Sequence, residues 1–130
     1  MSSVGNSAGD TDRSEKQLDV VGFGNALVDV LSHQNDEFLK RINVAKGAMH
    51  LIDSERSAEL YSLITERKTV SGGSAANTVI GVGSLGGSAG YIGRVADDDL
   101  GDIFVKDMAD LKIFHNTLRA PRRDSTGRCL

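Results

Sequence analysis

The chain alternates short apolar runs with longer segments of helical period. The first run, Leu18-Asp19-Val20-Val21-Gly22-Phe23-Gly24, is rich in β-branched residues and broken by glycine. It predicts a buried strand ending near Gly24, with Asn25 and Asp29 just past or near its carboxyl end. Residues 36–42 have the form of a short helix. The stretch 44–53, where Gly47 interrupts mixed apolar and polar residues, is the least determined and is expected to form strands. Asp53 or Ser54 can cap a helix that carries Ser57, Leu60, Tyr61 and Ile64 on one face and ends near Lys68.

Small residues dominate next. Ser-Gly-Gly-Ser-Ala-Ala-Asn-Thr leads into a helix expected over 73–85 despite Gly81 and Gly83. Each of these glycines costs about 1 kcal/mol against alanine in a helix, which predicts close approach of another backbone there. Ala89 to Ile92 has the pattern of a strand. Asp97, Asp98 and Asp99 then place negative charge at the positive end of a helix running to about Leu111, and Lys112 to His115 begins a further strand. Strands alternating with helices predict βαβ units and a parallel sheet, with ligands at the carboxyl ends of the strands. No repeat of fixed period is visible.

Composition narrows the function. The 130 residues are 39% hydrophobic, which suits one domain. Only 5% are aromatic and none is Trp, while 15 are Gly, so tight turns matter more than bulky packing. Residues 1–17 are rich in Ser, Gly, Asn and Asp, too polar to offset the entropy of ordering, and are read as a disordered tail ahead of a domain over 18–130. The formal net charge of -3 gives no field that would gather phosphate polymers or anionic lipid, so neither nucleic acid nor membrane is an expected partner. A local basic stretch, with Lys112, Arg119, Arg122, Arg123 and Arg128 against Asp124, reads as a solvated loop. The single cysteine, Cys129, allows no internal disulfide, and His33, His50 and His115 lack the spacing of a metal site. No run reaches the roughly 20 apolar residues of a membrane span, and residues 1–17 lack a secretory core. A cytoplasmic protein is the expectation.

Two nucleotide motifs are weighed and set aside. Gly22-Phe23-Gly24 begins like a dinucleotide fingerprint, but Leu27 stands where the third glycine belongs. The glycine stretch 72–78 has no lysine of a phosphate loop. What remains is Asn25 and Asp29 after the first strand, with Gly72, Gly73 and Asn77 at a strand-to-helix turn. These groups suit a polyol. A carboxylate accepts two hydroxyl protons, an amide donates and accepts, and bare glycines let a sugar ring approach backbone N–H groups. An equally available reading is structural, with Asp29 capping or ion-pairing, Asn77 stabilising the turn and the glycines relieving strain.

Four blocks at these positions resemble the PfkB or ribokinase-like carbohydrate kinase family, and within it the adenosine-kinase-like branch. They are Gly-Asn-Ala-Leu-Val-Asp (24–29), Gly-Gly-Ser-Ala-Ala-Asn-Thr (72–78), Gly-Arg-Val-Ala-Asp-Asp-Asp-Leu-Gly (93–101) and Ser-Thr-Gly-Arg-Cys-Leu (125–130). The resemblance covers about 18–130, well under half of a complete member. It implies an α/β fold, a ribokinase-like α/β/α sandwich, here incomplete, with part of a small β-sheet lid. The lid strands are expected around 44–53 and 115–130. It implies phosphoryl transfer from ATP with Mg2+ to a sugar or nucleoside hydroxyl. Asp29 would bind the acceptor's hydroxyl pair and Asn25 and Asn77 would add hydrogen bonds. Gly72 and Gly73 would form the sugar-facing turn and hinge, while Gly93 and Gly101 would shape a structural loop.

The family's Gly-Ala-Gly-Asp motif with its general base, its Asn-x-x-Glu magnesium motif and its ATP pocket do not occur before Leu130. No catalytic residue or metal ligand is therefore assigned here, and the chain alone is not expected to turn over. Its truncated sheet is expected to expose an edge prone to association, with a homodimer through lid or edge as one form. The alternative reading is a non-catalytic polyol-binding or regulatory fragment. A weaker one is a dinucleotide-binding oxidoreductase domain.

Overall fold

The computed structural model describes residues 17–121 and 124–130. The tail expected over residues 1–17 lies, apart from Gln17, outside them, as do Arg122 and Arg123 of the basic stretch. The elements in order are β1 (Val20–Phe23), β2 (Leu27–Leu31), α1 (Asp36–Arg41), α2 (Ser54–Leu63), β3 (Lys68–Gly72), α3 (Ser74–Ser84), β4 (Ala89–Ala96), α4 (Asp99–Asp110), β5 (Phe114–Ala120) and β6 (Gly127–Cys129).

They build two three-stranded sheets. The first, ordered β1-β4-β5, is parallel throughout, as the strand-helix alternation predicts. The second, ordered β3-β2-β6, is mixed, because β2 runs antiparallel to β3 and parallel to β6. Helices α3 and α4 pack against the first sheet, and α4 also touches β2 and β3 of the second. Both sheets share one core. Val28 and Val30 of β2 meet Ala76 and Val79 of α3, Tyr91 and Val95 of β4, and Leu100, Phe104 and Met108 of α4. The other face of the first sheet is open, with Val21, Phe23, Ile92, Phe114 and Leu118 exposed along it.

The helices start where their sequences allow. Asn35 caps α1 by accepting the Phe38 N–H at 2.9 Å, and Asp53 caps α2 by accepting the Arg56 N–H at 2.8 Å, each satisfying a donor with no partner inside its helix. Asp36 and Glu37 open α1 and Lys40 and Arg41 close it, matching the helix dipole. Phe38, Ile42, Leu60 and Ile64 form a second, smaller core between α1 and α2. Two guanidiniums flank the Tyr61 ring, Arg67 at 3.9 Å and Arg128 at 4.9 Å from its centroid, joining α2 to β6.

Several expectations are corrected. Residues 44–53 form no strand. Gly47 turns at φ +76° and Met49 and Leu51 lie exposed, so the apolar residues there have no sheet to pack on. Of the stretch 115–130 only Gly127–Cys129 joins the second sheet. β5 completes the first, so the basic stretch is in part a strand and not simply a solvated loop. The second helix ends at Leu63, not near Lys68, because residues 68–72 pair with β2. β4 runs on to Ala96. A Cβ on Gly81 would meet nothing within 4 Å, and one on Gly83 would meet the Ile113 side chain at 2.7 Å, so close backbone packing does not explain these glycines. Gly93 lies within β4 beside the Tyr91 ring, and Gly101 is buried in the first turn of α4, neither of them in a loop.

Candidate functional site

The turn from β3 into α3 is made by two glycines with different tasks. Gly73 has φ +100°, a conformation that costs a residue with a Cβ about 1–2 kcal/mol, and a Cβ there would lie 2.7 Å from the Asn25 carbonyl oxygen. It occupies the N-cap position of α3 without any side-chain cap, and its carbonyl accepts the Asn77 N–H at 2.8 Å. Gly72 is buried beside Asp29. A Cβ on it would lie 2.5 Å from Asp29 Oδ2 and 2.9 Å from Oδ1.

Asp29 itself lies within β2, not beyond the end of the first strand, opposite Val70 of β3 and Cys129 of β6. Strand alternation turns Val28 and Val30 into the core and leaves Leu27, Asp29 and Leu31 on the other face. Leu27 lines a cleft of about 670 Å³ at the carboxyl end of β1 and beside the middle of β4, where Phe23, Asn25, Ile92, Arg94 and Gly127 also meet. The turn that carries Asn25 is fixed by the Tyr91 hydroxyl, which donates to the Gly24 carbonyl at 2.9 Å. Burial holds the Tyr91 phenol above its ordinary pKa, so it stays a donor.

Asn25, Asp29, Gly72 and Gly73 are thus brought together, although of the five residues named from the sequence only Asn25 lines the cleft. Asn77 joins through its backbone N–H, and its side chain is exposed on α3. The lining residues Ile92, Arg94, Leu118 and Gly127 were not singled out as binding residues. Arg94 and Gly127 fall inside the matching blocks, while Ile92 and Leu118 lie outside them.

A second cluster ties the two sheets together. Asp98 caps α4 by accepting the Gly101 N–H at 2.8 Å, and it also accepts the Thr126 N–H at 2.9 Å and the Thr126 hydroxyl at 2.6 Å. The same hydroxyl accepts the Ala96 N–H at 3.0 Å, and Arg119 donates to the Ala96 carbonyl at 3.0 Å and to Asp102 at 2.6 Å. Burial opposes ionisation of Asp98. The bonds from Thr126 and Gly101, with the nearby Arg128 charge, outweigh it and hold the carboxyl below its ordinary value.

Among the described residues, no group of three or more His, Cys, Asp or Glu is placed to hold a metal ion. No chemical step is routed through a metal here. No helix among them is long and apolar enough to cross a membrane.

The solved structure of a probable sugar kinase from Rhizobium etli CFN 42 is similar at 46% identity, covering 80% of this chain and 32% of that one, with a TM-score of 0.69. That of adenosine kinase from Sinorhizobium meliloti is similar at 44% identity over the same shares, also with a TM-score of 0.69. A 5-dehydro-2-deoxygluconokinase of Listeria innocua is 34% identical over 83 residues, which are 64% of this chain and 25% of that kinase. The chain thus spans about a fifth to a third of the relatives it matches. Residues 41–130 match the family model described as pfkB family carbohydrate kinase. With the ribokinase-like arrangement of its two sheets, the chain belongs to the pfkB family of carbohydrate kinases.

Proposed function

We propose that this chain supplies the acceptor-binding part of a kinase that moves the γ-phosphoryl group of ATP to a hydroxyl of a sugar or nucleoside. The observation that carries the reading is the seat of Asp29. Its carboxylate lies beside a buried glycine, on the same face of β2 as Leu27, which lines the cleft at the carboxyl end of β1.

In this reading the Asp29 carboxylate accepts protons from two neighbouring hydroxyls and orients the acceptor, with Asn25 and Asn77 adding hydrogen bonds. The Gly72-Gly73 turn leaves room for the ring against backbone N–H groups. The β3-β2-β6 sheet serves as the lid, and its closure over the cleft excludes water from the transfer. ATP, Mg2+ and the general base bind or act through residues outside this stretch. The open face of β1-β4-β5 is where the remaining layer of a complete kinase packs, or where two copies associate.

The test is a titration of the chain with adenosine, D-ribose and D-fructose, followed by amide chemical shifts. Saturating shifts at Asn25, Asp29, Gly72, Gly73 and Asn77 with at least one of them, abolished in Asp29→Ala, are expected. Shifts confined to other residues, or binding untouched by Asp29→Ala, would remove Asp29 from the acceptor site.

A further inference from the structure

The strand that carries Asp29 is flanked on both sides, and α4 holds both flanks. On one side, Ser71 of β3 donates its backbone N–H to the Asp107 carboxylate at 2.9 Å. On the other, Thr126, the residue before β6, donates its N–H and its hydroxyl to the two oxygens of Asp98. Ser71 pairs with Val28, and Thr126 precedes Gly127, which pairs with Leu27, so the anchors lie one and three residues from Asp29 in register. The reach is right. Nine residues separate Asp98 from Asp107, about 13 Å along a helix, while β3 and β6 stand two strand spacings apart, about 10 Å. Thr126 is only 2% exposed, while its partner Asp98 is half-buried.

We propose that Asp98 and Asp107 are positioning residues, which grip the second sheet from its two flanks and set where β2 holds Asp29 beside the Gly72-Gly73 turn. This rests on the acceptor-binding reading of Asp29. The two carboxylates differ in what they must accept. Asp107 takes one backbone N–H through one oxygen, a task an asparagine carbonyl can perform. Asp98 uses both oxygens, so asparagine there would turn an N–H donor toward one of the groups it must receive.

The experiment compares Asp107→Ala, Asp107→Asn and Asp98→Asn in the same chain by amide hydrogen exchange without ligand, by melting temperature and by titration with adenosine and D-fructose. Asp107→Ala and Asp98→Asn are expected to speed exchange in β2 at least tenfold relative to Val79 of α3. They are also expected to weaken a bound probe at least tenfold. Asp107→Asn is expected to restore both. Exchange that rises equally at Val79, or affinity that follows the melting temperature without rescue by Asp107→Asn, would overturn the positioning role and leave only a general contribution to stability. If neither probe binds the unaltered chain, the acceptor reading fails and the positioning role with it. The exchange pattern then still decides separately whether α4 seats the sheet.

Discussion

Gly72 leaves open the space that the Asp29 carboxylate occupies: a methyl group at position 72 would lie 2.5 Å from Oδ2 and 2.7 Å from the carboxyl carbon. Glycine at this position is therefore a requirement of a neighbouring side chain and not of the backbone, whose φ here lies outside the left-handed region.

Gly72→Ala is accordingly expected to push Asp29 aside while leaving the fold intact. Stability should change by less than about 1 kcal/mol, since the clashing group is the end of a side chain that can rotate. Acceptor affinity should fall about tenfold or more, equivalent to about 1.4 kcal/mol. Calorimetric binding and thermal unfolding of the same variant check both halves, and a variant that melts much earlier contradicts the assignment.

Gly73→Ala should behave in the opposite way. Its φ of +100° and the Asn25 carbonyl oxygen 2.7 Å from the added atom both penalise the fold, and the backbone must move to relieve them. A loss of about 1–2 kcal/mol or more is expected from the backbone conformation alone. Denaturant unfolding would show it, and a stability equal to that of the unaltered chain would mean that the turn has another conformation.

Phe104 is fully buried, with its ring centroid 5.4 Å from that of Tyr91. Phe104→Ala should cost about 3–5 kcal/mol, because a cavity opens where α4 meets the shared core of both sheets. That is a large fraction of the stability of a domain of this size. Circular dichroism at rising urea checks it, and a loss below 1 kcal/mol would place Phe104 at a surface.

Acid should loosen the cluster around Thr126. Asp98 has a folded pKa below its ordinary value of 3.8, so its contribution to stability is complete above that value and disappears as pH falls through the folded value. Between pH 5 and 7 it should therefore be constant. Below about pH 4 the unaltered chain should lose melting temperature more steeply than Asp98→Asn, whose residue 98 cannot be protonated in this range. Parallel acid slopes for the two would show that Asp98 is not held in this network.

Much of the first sheet was legible because its signals are local. Val20-Val21 starts β1, and three consecutive aspartates mark the start of α4, where Asp98 does cap the helix. The second sheet was largely hidden. β2 carries a period-two pattern, Val28 and Val30 inward, but Asp29 between them looked like a residue beyond a strand end. Lys68 looked like the close of a helix, and nothing local in Lys-Thr-Val-Ser-Gly reveals that these residues pair with 27–31. The apolar residues of 44–53 misled in the other direction, because Met49 and Leu51 are exposed. Asn25, Asp29, Gly72 and Gly73 were recognisable by residue type. That Gly72 makes room for Asp29, and that Asp107 and Asp98 hold the flanking strands, follows only from contacts between distant segments.

Among the described residues, the pairing of β2 with β6, beginning with Leu27 and Gly127, spans one hundred residues of sequence. During synthesis β2 emerges one hundred residues ahead of the strand that covers its second edge. Loop-closure entropy delays such a contact further, and non-local pairing is slow to form. The edge of β2 bearing Val28 and Asp29 is therefore exposed while the intervening residues are made. That interval, rather than any weakness of the finished fold, is when wrong strand partners have their best opportunity.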